Sequence, residues 1–272
     1  MKIEKRITLN VHSTGGEEDL YKQEVLAELI LRERPLAVAL QEVCQTRSAP
    51  LASAKEGLIS VSEHILLRED HFLIGLLSRL SGEYKGVWLP VKLGYGVRDE
   101  GVALLTRFEP REIRRIPLTS YRPYEDWRRR EALAVSDPSG GEWTVSLHTS
   151  WWEEGFLLEW NRLNAALPKD ASVWLMGDFN VTAERMAREG DPLVRAGFFD
   201  AYTLAEEGDA EDTVLSDADG WRERSASDGL RIDRILCRPE KRILRYRRIL
   251  DGRQSPVISD HFGVMTESEE HE

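Results

Sequence analysis

Cysteine is nearly absent: Cys44 and Cys237 are too few for a disulfide framework and lack the paired spacing of a zinc site, so free buried thiols are expected. No apolar run approaches the roughly 18 to 20 residues that a membrane span needs. The start, Met1-Lys2-Ile3-Glu4-Lys5-Arg6, leads into a strand-like segment without the apolar core of a signal peptide. A cytoplasmic protein with no membrane partner is the expectation. Positive charge is in deficit as well. With 37 basic and 48 acidic side chains the formal charge is −11, so the molecule as a whole repels polyanions. That disfavours a general nucleic-acid binder and leaves room for a local basic groove. No internal repeat and no linker divides the chain.

What is there suits one α/β domain. Hydrophobic residues make up 41% and charged residues 31%, enough for a sizeable core under a solvated surface. Residues 5–11 read as a strand, residues 19–34 carry apolar side chains at helical spacing up to Pro35, and residues 36–40 are continuously apolar, as in a strand buried on both faces. Both strands end in polar residues, Asn10 and Gln41-Glu42, where α/β sheets collect ligands. Residues 45–62 read as a loop or flap and 64–80 as an amphipathic helix. Strands over 84–91, 101–106, 111–117 and 131–137, separated by Gly, Pro and charged turns, predict an antiparallel meander. A strand over 143–147 then reaches His148, a helix covers 151–167, and a strand follows over 171–176. Short helices over 184–206, an irregular stretch over 213–227 and strands over 230–237, 243–250 and 262–266 complete a domain spanning 1–266. The acidic tail, 267–272, is expected to fray.

The chain is organised around Val173-Trp174-Leu175-Met176-Gly177-Asp178-Phe179-Asn180. This apolar run stops at a glycine and delivers an acid and an amide two residues apart, on the same side of an extended chain. Taken alone, Gly-Asp-x-Asn is also an ordinary turn. Other strand ends supply Asn10, Glu42, His148, Asp233, Asp260 and His261. Singly, each has a bland reading as a turn residue, a solvated acid or a surface hydrogen bond. Together they make a hard, oxygen-rich donor set without cysteine, suited to Mg²⁺ or Mn²⁺. Imidazoles and amides beside such an ion would hold phosphoryl oxygens while an acid orients water, which is phosphoester hydrolysis.

At these residues the sequence resembles the endonuclease/exonuclease/phosphatase superfamily, which has the deoxyribonuclease I-like fold. The matching pieces, in the family's order, are Leu9-Asn10-Val11, Leu40-Gln41-Glu42-Val43, Gly101-Val102-Ala103-Leu104-Leu105, Ser146-Leu147-His148, Gly177-Asp178-Phe179-Asn180, Arg231-Ile232-Asp233 and Ser259-Asp260-His261-Phe262. The resemblance implies a four-layer α/β/β/α sandwich of two mixed β-sheets with flanking helices. It also implies roles. Glu42 would be the chief metal ligand with Asn10 beside it, and Asp260 would serve as a further ligand and orient His261. Asp178 would deprotonate the attacking water, helped by Asn180; His148 and His261 would hold nonbridging oxygens; Asp233 would organise the phosphate site or touch a second metal.

Substrate is less fixed than reaction. His12-Ser13, Asp99-Glu100-Gly101, Tyr124 and Trp127 followed by arginines, and His148 followed by Trp151-Trp152 are similar to a bacterial branch that includes maltose 6'-phosphate phosphatase. Trp151, Trp152, Tyr95, Tyr124 and Trp127 are candidate walls for a sugar, with Arg130 or Arg231 as the cationic clamp; the bland alternative is that the tryptophans pack a helix. A small phosphorylated substrate and a phosphomonoesterase are therefore favoured. The run Arg128-Arg129-Arg130 and the basic stretch 241–248 keep a nuclease as the alternative, with a lipid-head or inositol phosphoesterase behind it. A noncatalytic relative would be expected to have lost charged site residues, and this sequence keeps them.

Overall fold

The computed structural model describes residues 2–269 apart from 54, 56, 63, 210–211 and 216–228. Among the described residues, eight strands form one sheet in the order Glu207–Gly208, Ile243–Ile249, Gly263–Glu269, Ile3–Asn10, Ala37–Thr46, Arg98–Thr106, Lys85–Gly94, Leu58–Ser60. Six form a second, in the order Phe199–Asp200, Asp233–Arg238, Ser172–Asp178, Glu142–His148, Glu131–Ser136, Ile113–Pro117. Most pairs are antiparallel. The two that matter for function are parallel: Ile3–Asn10 with Ala37–Thr46, joined by the helix Glu17–Glu33, and Glu142–His148 with Ser172–Asp178, joined by the helix Phe156–Ala166.

The unbroken apolar runs follow from the layering. Val38 and Leu40 pack under the helices Glu17–Glu33 and Phe72–Arg79, whereas Ala39 between them faces the other sheet. Val173 and Leu175 likewise pack under Phe156–Ala166, while Trp174 and Met176 fill the space between the sheets. Strand side chains alternate, so a strand covered on both faces buries every residue, each large one contributing about 1.5–3 kcal/mol. Three apolar layers separate four structural layers, and the expected α/β/β/α sandwich is the fold. Both cysteines are buried and free, and no helix among the described residues is long and apolar enough to cross a membrane.

Several local expectations change. The helix expected over 64–80 is confined to Phe72–Arg79, because His71 Nδ1 accepts from the Leu73 N–H at 3.0 Å and caps it there. Upstream, the Asp70 carboxylate accepts from the Thr46 N–H and ties that stretch to the large sheet. Within the expected flap 45–62, Leu58–Ser60 forms an edge strand parallel to Lys85–Gly94. The meander is divided: Lys85–Gly94 and Arg98–Thr106 belong to the large sheet, Ile113–Pro117 and Glu131–Ser136 to the other. Trp152–Glu154 is a 3₁₀ turn, and Gly155, at φ 125°, separates it from the helix Phe156–Ala166. The last strand runs on to Glu269, with Glu267 taking a hydrogen bond from Arg247 and Glu269 one from Arg242. Of the stretch expected to be irregular, Val214–Leu215 pairs with Gly229–Leu230, and residues 216–227 lie outside the described residues, as does the tail beyond 269.

Candidate active site

The parallel strands of both sheets deliver their polar ends to one place. Asp178 is flanked in register by His148 on one neighbouring strand and Asp233 on the other. Asn10, fully buried on the large sheet, closes the gap: its Nδ2 donates to Glu42 Oε1 at 3.0 Å and to Asp178 Oδ2 at 3.2 Å. Its Oδ1 accepts from the His12 N–H at 3.1 Å. One amide thereby fixes an acid from each sheet. Glu42 sits where the pairing with Arg98–Thr106 shifts register, at a left-handed φ of 53°, which turns it out of the ladder. Asn180 is also left-handed, at φ 47°, so its own N–H reaches back to Asp178 Oδ1 at 2.8 Å while its Nδ2 donates to the Thr149 carbonyl.

Gly177 makes this close approach possible. At its φ of 153° a Cβ would stand 2.0 Å from the Leu147 carbonyl oxygen of the parallel neighbour. Gly177→Ala is expected to push Glu142–His148 and Ser172–Asp178 apart and to cost about 3 kcal/mol or more. A urea-unfolding midpoint equal to that of the wild type would show that the strands yield freely.

The histidines approach Asp178 from two sides. His148 Nε2 lies 3.6 Å and His261 Nε2 3.8 Å from Asp178 Oδ2. His261 Nδ1 is bonded to Asp233 Oδ2 at 2.8 Å, so the orienting acid is Asp233, and the pairing of His261 with its neighbour Asp260 is corrected. Asp260 instead turns the other way, its Oδ1 3.4 Å from His12 Nδ1, which is also 3.4 Å from Glu42 Oε2. His12 is thus a site residue missing from the sequence-derived set. The loop that carries it hangs on the first long helix: Asp19 accepts from Ser13 Oγ and the Gly15 N–H, and Lys22 Nζ donates to the His12 carbonyl.

Charge follows from burial. Burial, with Asp233 and Glu42 nearby, raises Asp178 to about 7, against the pull of His261 and the Asn180 N–H. Glu42 is raised by burial and then by Glu100. Burial disfavours the His261 imidazolium, but the charge and hydrogen bond of Asp233, then Asp178 and Asp260, overcome it and lift the group to about 10. His148 is held neutral, well below its usual value, by burial and by the positive charges of Arg130, Lys92 and His261.

These residues fit a divalent cation. Two carboxyls are driven toward protonation by burial among other acids, and Asp233 Oδ1 is buried with no hydrogen-bond partner among the described residues. Asp178, Asp233 and His261 place ligand atoms within 4.8 Å of one another. In that group Asp233 already meets an imidazolium, whereas among the described residues Glu42 and Asp260 have His12 as their common ion-pair partner, which leaves the Glu42 side the more open to a cation.

A cleft of about 390 Å³ opens over this constellation, and four of the candidate substrate residues, Trp151, Trp127, Tyr95 and Arg130, line it. Three other candidates lie elsewhere. Trp152 stacks on Phe156 at 5.6 Å and packs against the core under the helix. Tyr124 donates its hydroxyl to Asp99 and secures the 118–130 loop. Arg231 is bonded to Asp200 and lies over the Tyr202 ring, so it serves the fold and is no clamp at the cleft. Lys92, which lines the cleft in an ion pair with Glu100 at 2.9 Å, escaped sequence reasoning, and Glu100 had entered only through the Asp99-Glu100-Gly101 likeness. The available signal was a lysine inside the apolar run Val87 to Leu93.

A family model described as the endonuclease/exonuclease/phosphatase family matches residues 7–261. Among solved structures, the chain is similar to a family protein from Leptotrichia buccalis, with TM-score 0.83 and 24% identity over 98% of this chain and 100% of that one. It is similar also to a mannosyl-6-phosphatase of Bacteroides thetaiotaomicron, with TM-score 0.64 and 17% identity over 98% and 100% of the two chains. Truncated TDP2 of Caenorhabditis elegans gives TM-score 0.61 and 18% identity over 98% of each chain. No curated protein matches the sequence. At such identities the structural likeness establishes the fold.

Proposed function

The chain belongs to the endonuclease/exonuclease/phosphatase family, whose members are phosphoric ester hydrolases, and within it we propose a divalent-metal-dependent phosphomonoesterase that acts on a sugar phosphate. The observation that carries this reading is where the basic residues go. Arg128 is paired with Asp126, Arg129 with Glu131, Arg242 with Glu206 and Glu269, Arg245 with Glu207, Arg247 with Glu33 and Glu267, and Arg248 with Asp251. A nuclease needs free cations spaced along a groove to meet successive phosphates. Here the two basic stretches are spent on the protein's own acids, and Arg130 is the member of its run that lines the cleft. Trp151, Trp127 and Tyr95 add apolar faces of the kind that stack on a sugar ring. The likeness to a mannosyl-6-phosphatase supports the same class.

Glu42, Asp260 and Asn10, with His12, would hold the cation, which supplies Lewis-acid polarisation of the phosphoryl group. Asp178, fixed by the Asn180 N–H and by Asn10, takes the proton of the attacking water. The imidazolium of His261 and the neutral ring of His148 hold nonbridging oxygens as charge shifts during in-line displacement. Phosphate release from a panel of sugar phosphates, inositol phosphates, sphingomyelin and oligonucleotides, with and without EDTA, tests the reading. Release from sugar phosphates, abolished by EDTA and restored by Mg²⁺ or Mn²⁺, is expected. Salt-sensitive cleavage of oligonucleotides without release from sugar phosphates would make the protein a nuclease.

A further inference from the structure

Lys92, part-buried, and Arg130, buried, are two cations at the cleft that the hydrolytic step itself leaves without a role. Lys92 lies on the strand Lys85–Gly94, in register with Glu100 on Arg98–Thr106, and the pair is 2.9 Å apart and largely buried. Arg130 is 5% exposed. Its Nη1 donates to the carbonyls of Trp127 and Arg129, at 2.8 and 3.2 Å, while its Nε is buried with no hydrogen-bond partner among the described residues. Both residues line the main cleft. Both also line, with His148, an adjoining recess of about 10 Å³, room for a single water. Such a nitrogen recurs at Arg6, Arg68 and Arg238 and marks no ligand by itself; what points to an anion is that two cations and the neutral His148 line one corner of the cleft.

Resting on the phosphomonoesterase reading, we infer that Lys92 and Arg130, beside His148, form an anion subsite that selects phosphomonoesters over phosphodiesters by their second negative charge. A monoester dianion presents three nonbridging oxygens, one more than His148 and His261 hold between them. A diester presents two and carries a single charge. Glu100 offsets one positive charge but occupies only one of the three ammonium donors of Lys92, leaving two for the ligand. The subsite lies on the His148 side of the cleft and meets the acids around Glu42 through Glu100, the partner of Lys92.

The test compares p-nitrophenyl phosphate with bis(p-nitrophenyl) phosphate in the wild type, Lys92→Met, Lys92→Arg and Arg130→Lys, after thermal melts establish that each is folded. Lys92→Met is expected to lower the monoester-to-diester ratio of kcat/KM by about 10- to 100-fold, and Lys92→Arg to restore much of it. Arg130→Lys, which keeps the charge and gives up the planar fork, is expected to lower the ratio about 10-fold. Equal losses on both substrates, or no loss, would overturn the inference. Calorimetric titration with inorganic phosphate separates it from the parent reading. If the wild type hydrolyses only diesters, the phosphomonoesterase is wrong, yet phosphate affinity reduced about 10-fold in Lys92→Met still supports the subsite; unchanged phosphate affinity removes it.

Discussion

Asp178→Asn is expected to leave the sandwich intact and to lower turnover of any phosphoester by about 10³-fold or more, within the range for loss of a general base in a confined site. The amide has the size of the carboxylate and can still accept the Asn180 N–H, but it cannot take a proton from water. A second consequence is thermodynamic. In the metal-free protein Asp178 titrates near 7, above the value of about 3.9 it has when unfolded. A raised carboxyl favours folding at low pH, where both states are protonated or the folded state keeps its proton, and that contribution is lost as pH rises through 7. The asparagine carries no such dependence, although it sets one amide group against the Asn10 Nδ2, a fixed cost. The unfolding free energy in EDTA, measured with urea, should therefore shift in favour of the variant between pH 5 and pH 8 by an amount on the order of a few kcal/mol. Near-normal turnover would remove Asp178 from the chemistry, and a gap that ignores pH would show that its burial is relieved in another way.

The residues that sequence could place are those at the ends of fully buried strands. Asn10, Glu42, His148 and Asp178 each follow an apolar run long enough to fix a strand, and parallel pairing brings such ends to one edge. What escaped depends on the third dimension. Asp260 and His261 are adjacent in sequence, but the turn held by Ser259 Oγ, bonded to the Asn10 carbonyl, sends them to opposite sides, and the acid that meets His261 comes from a strand 28 residues earlier. His12 entered only through the His12-Ser13 likeness and without a role, because what places it, the anchoring of its loop by Asp19 and Lys22, shows only in the fold. Trp152 and Arg231 had the right chemistry for a ligand site and were claimed by Phe156 and Asp200. The helix start failed for a related reason: His71 fits an amphipathic pattern, and its ring nitrogen acts as a cap.

Asp233→Asn, set against Asp260→Asn, decides between the pairing that adjacency suggests and the one the fold makes. Asp233 is fully buried, donates its backbone N–H to Thr213 Oγ1 and is the carboxylate bonded to the His261 ring. Removing one partner of a buried ion pair costs about 3–5 kcal/mol, because the remaining charge is left without compensation. The sign with pH is fixed by His261, whose folded value of about 10 exceeds the unfolded value of about 6.5. The pair's contribution is complete below about 6.5 and is lost as pH rises through 10, so the stability deficit of Asp233→Asn should be large at pH 6 and close above pH 10. Activity should fall by about 10²- to 10³-fold at neutral pH, since a buried imidazole without its carboxylate gives up the proton it presents to the phosphoryl oxygens. Asp260→Asn should leave the titration of the His261 ring, followed by proton NMR, much nearer 10, and should weaken Mn²⁺ binding measured by calorimetry. A His261 titration that collapses in Asp260→Asn and survives in Asp233→Asn would reverse the assignment. The expected result would make the acid beside His261 in sequence part of the cation site, and the acid across the sheet the guardian of its charge.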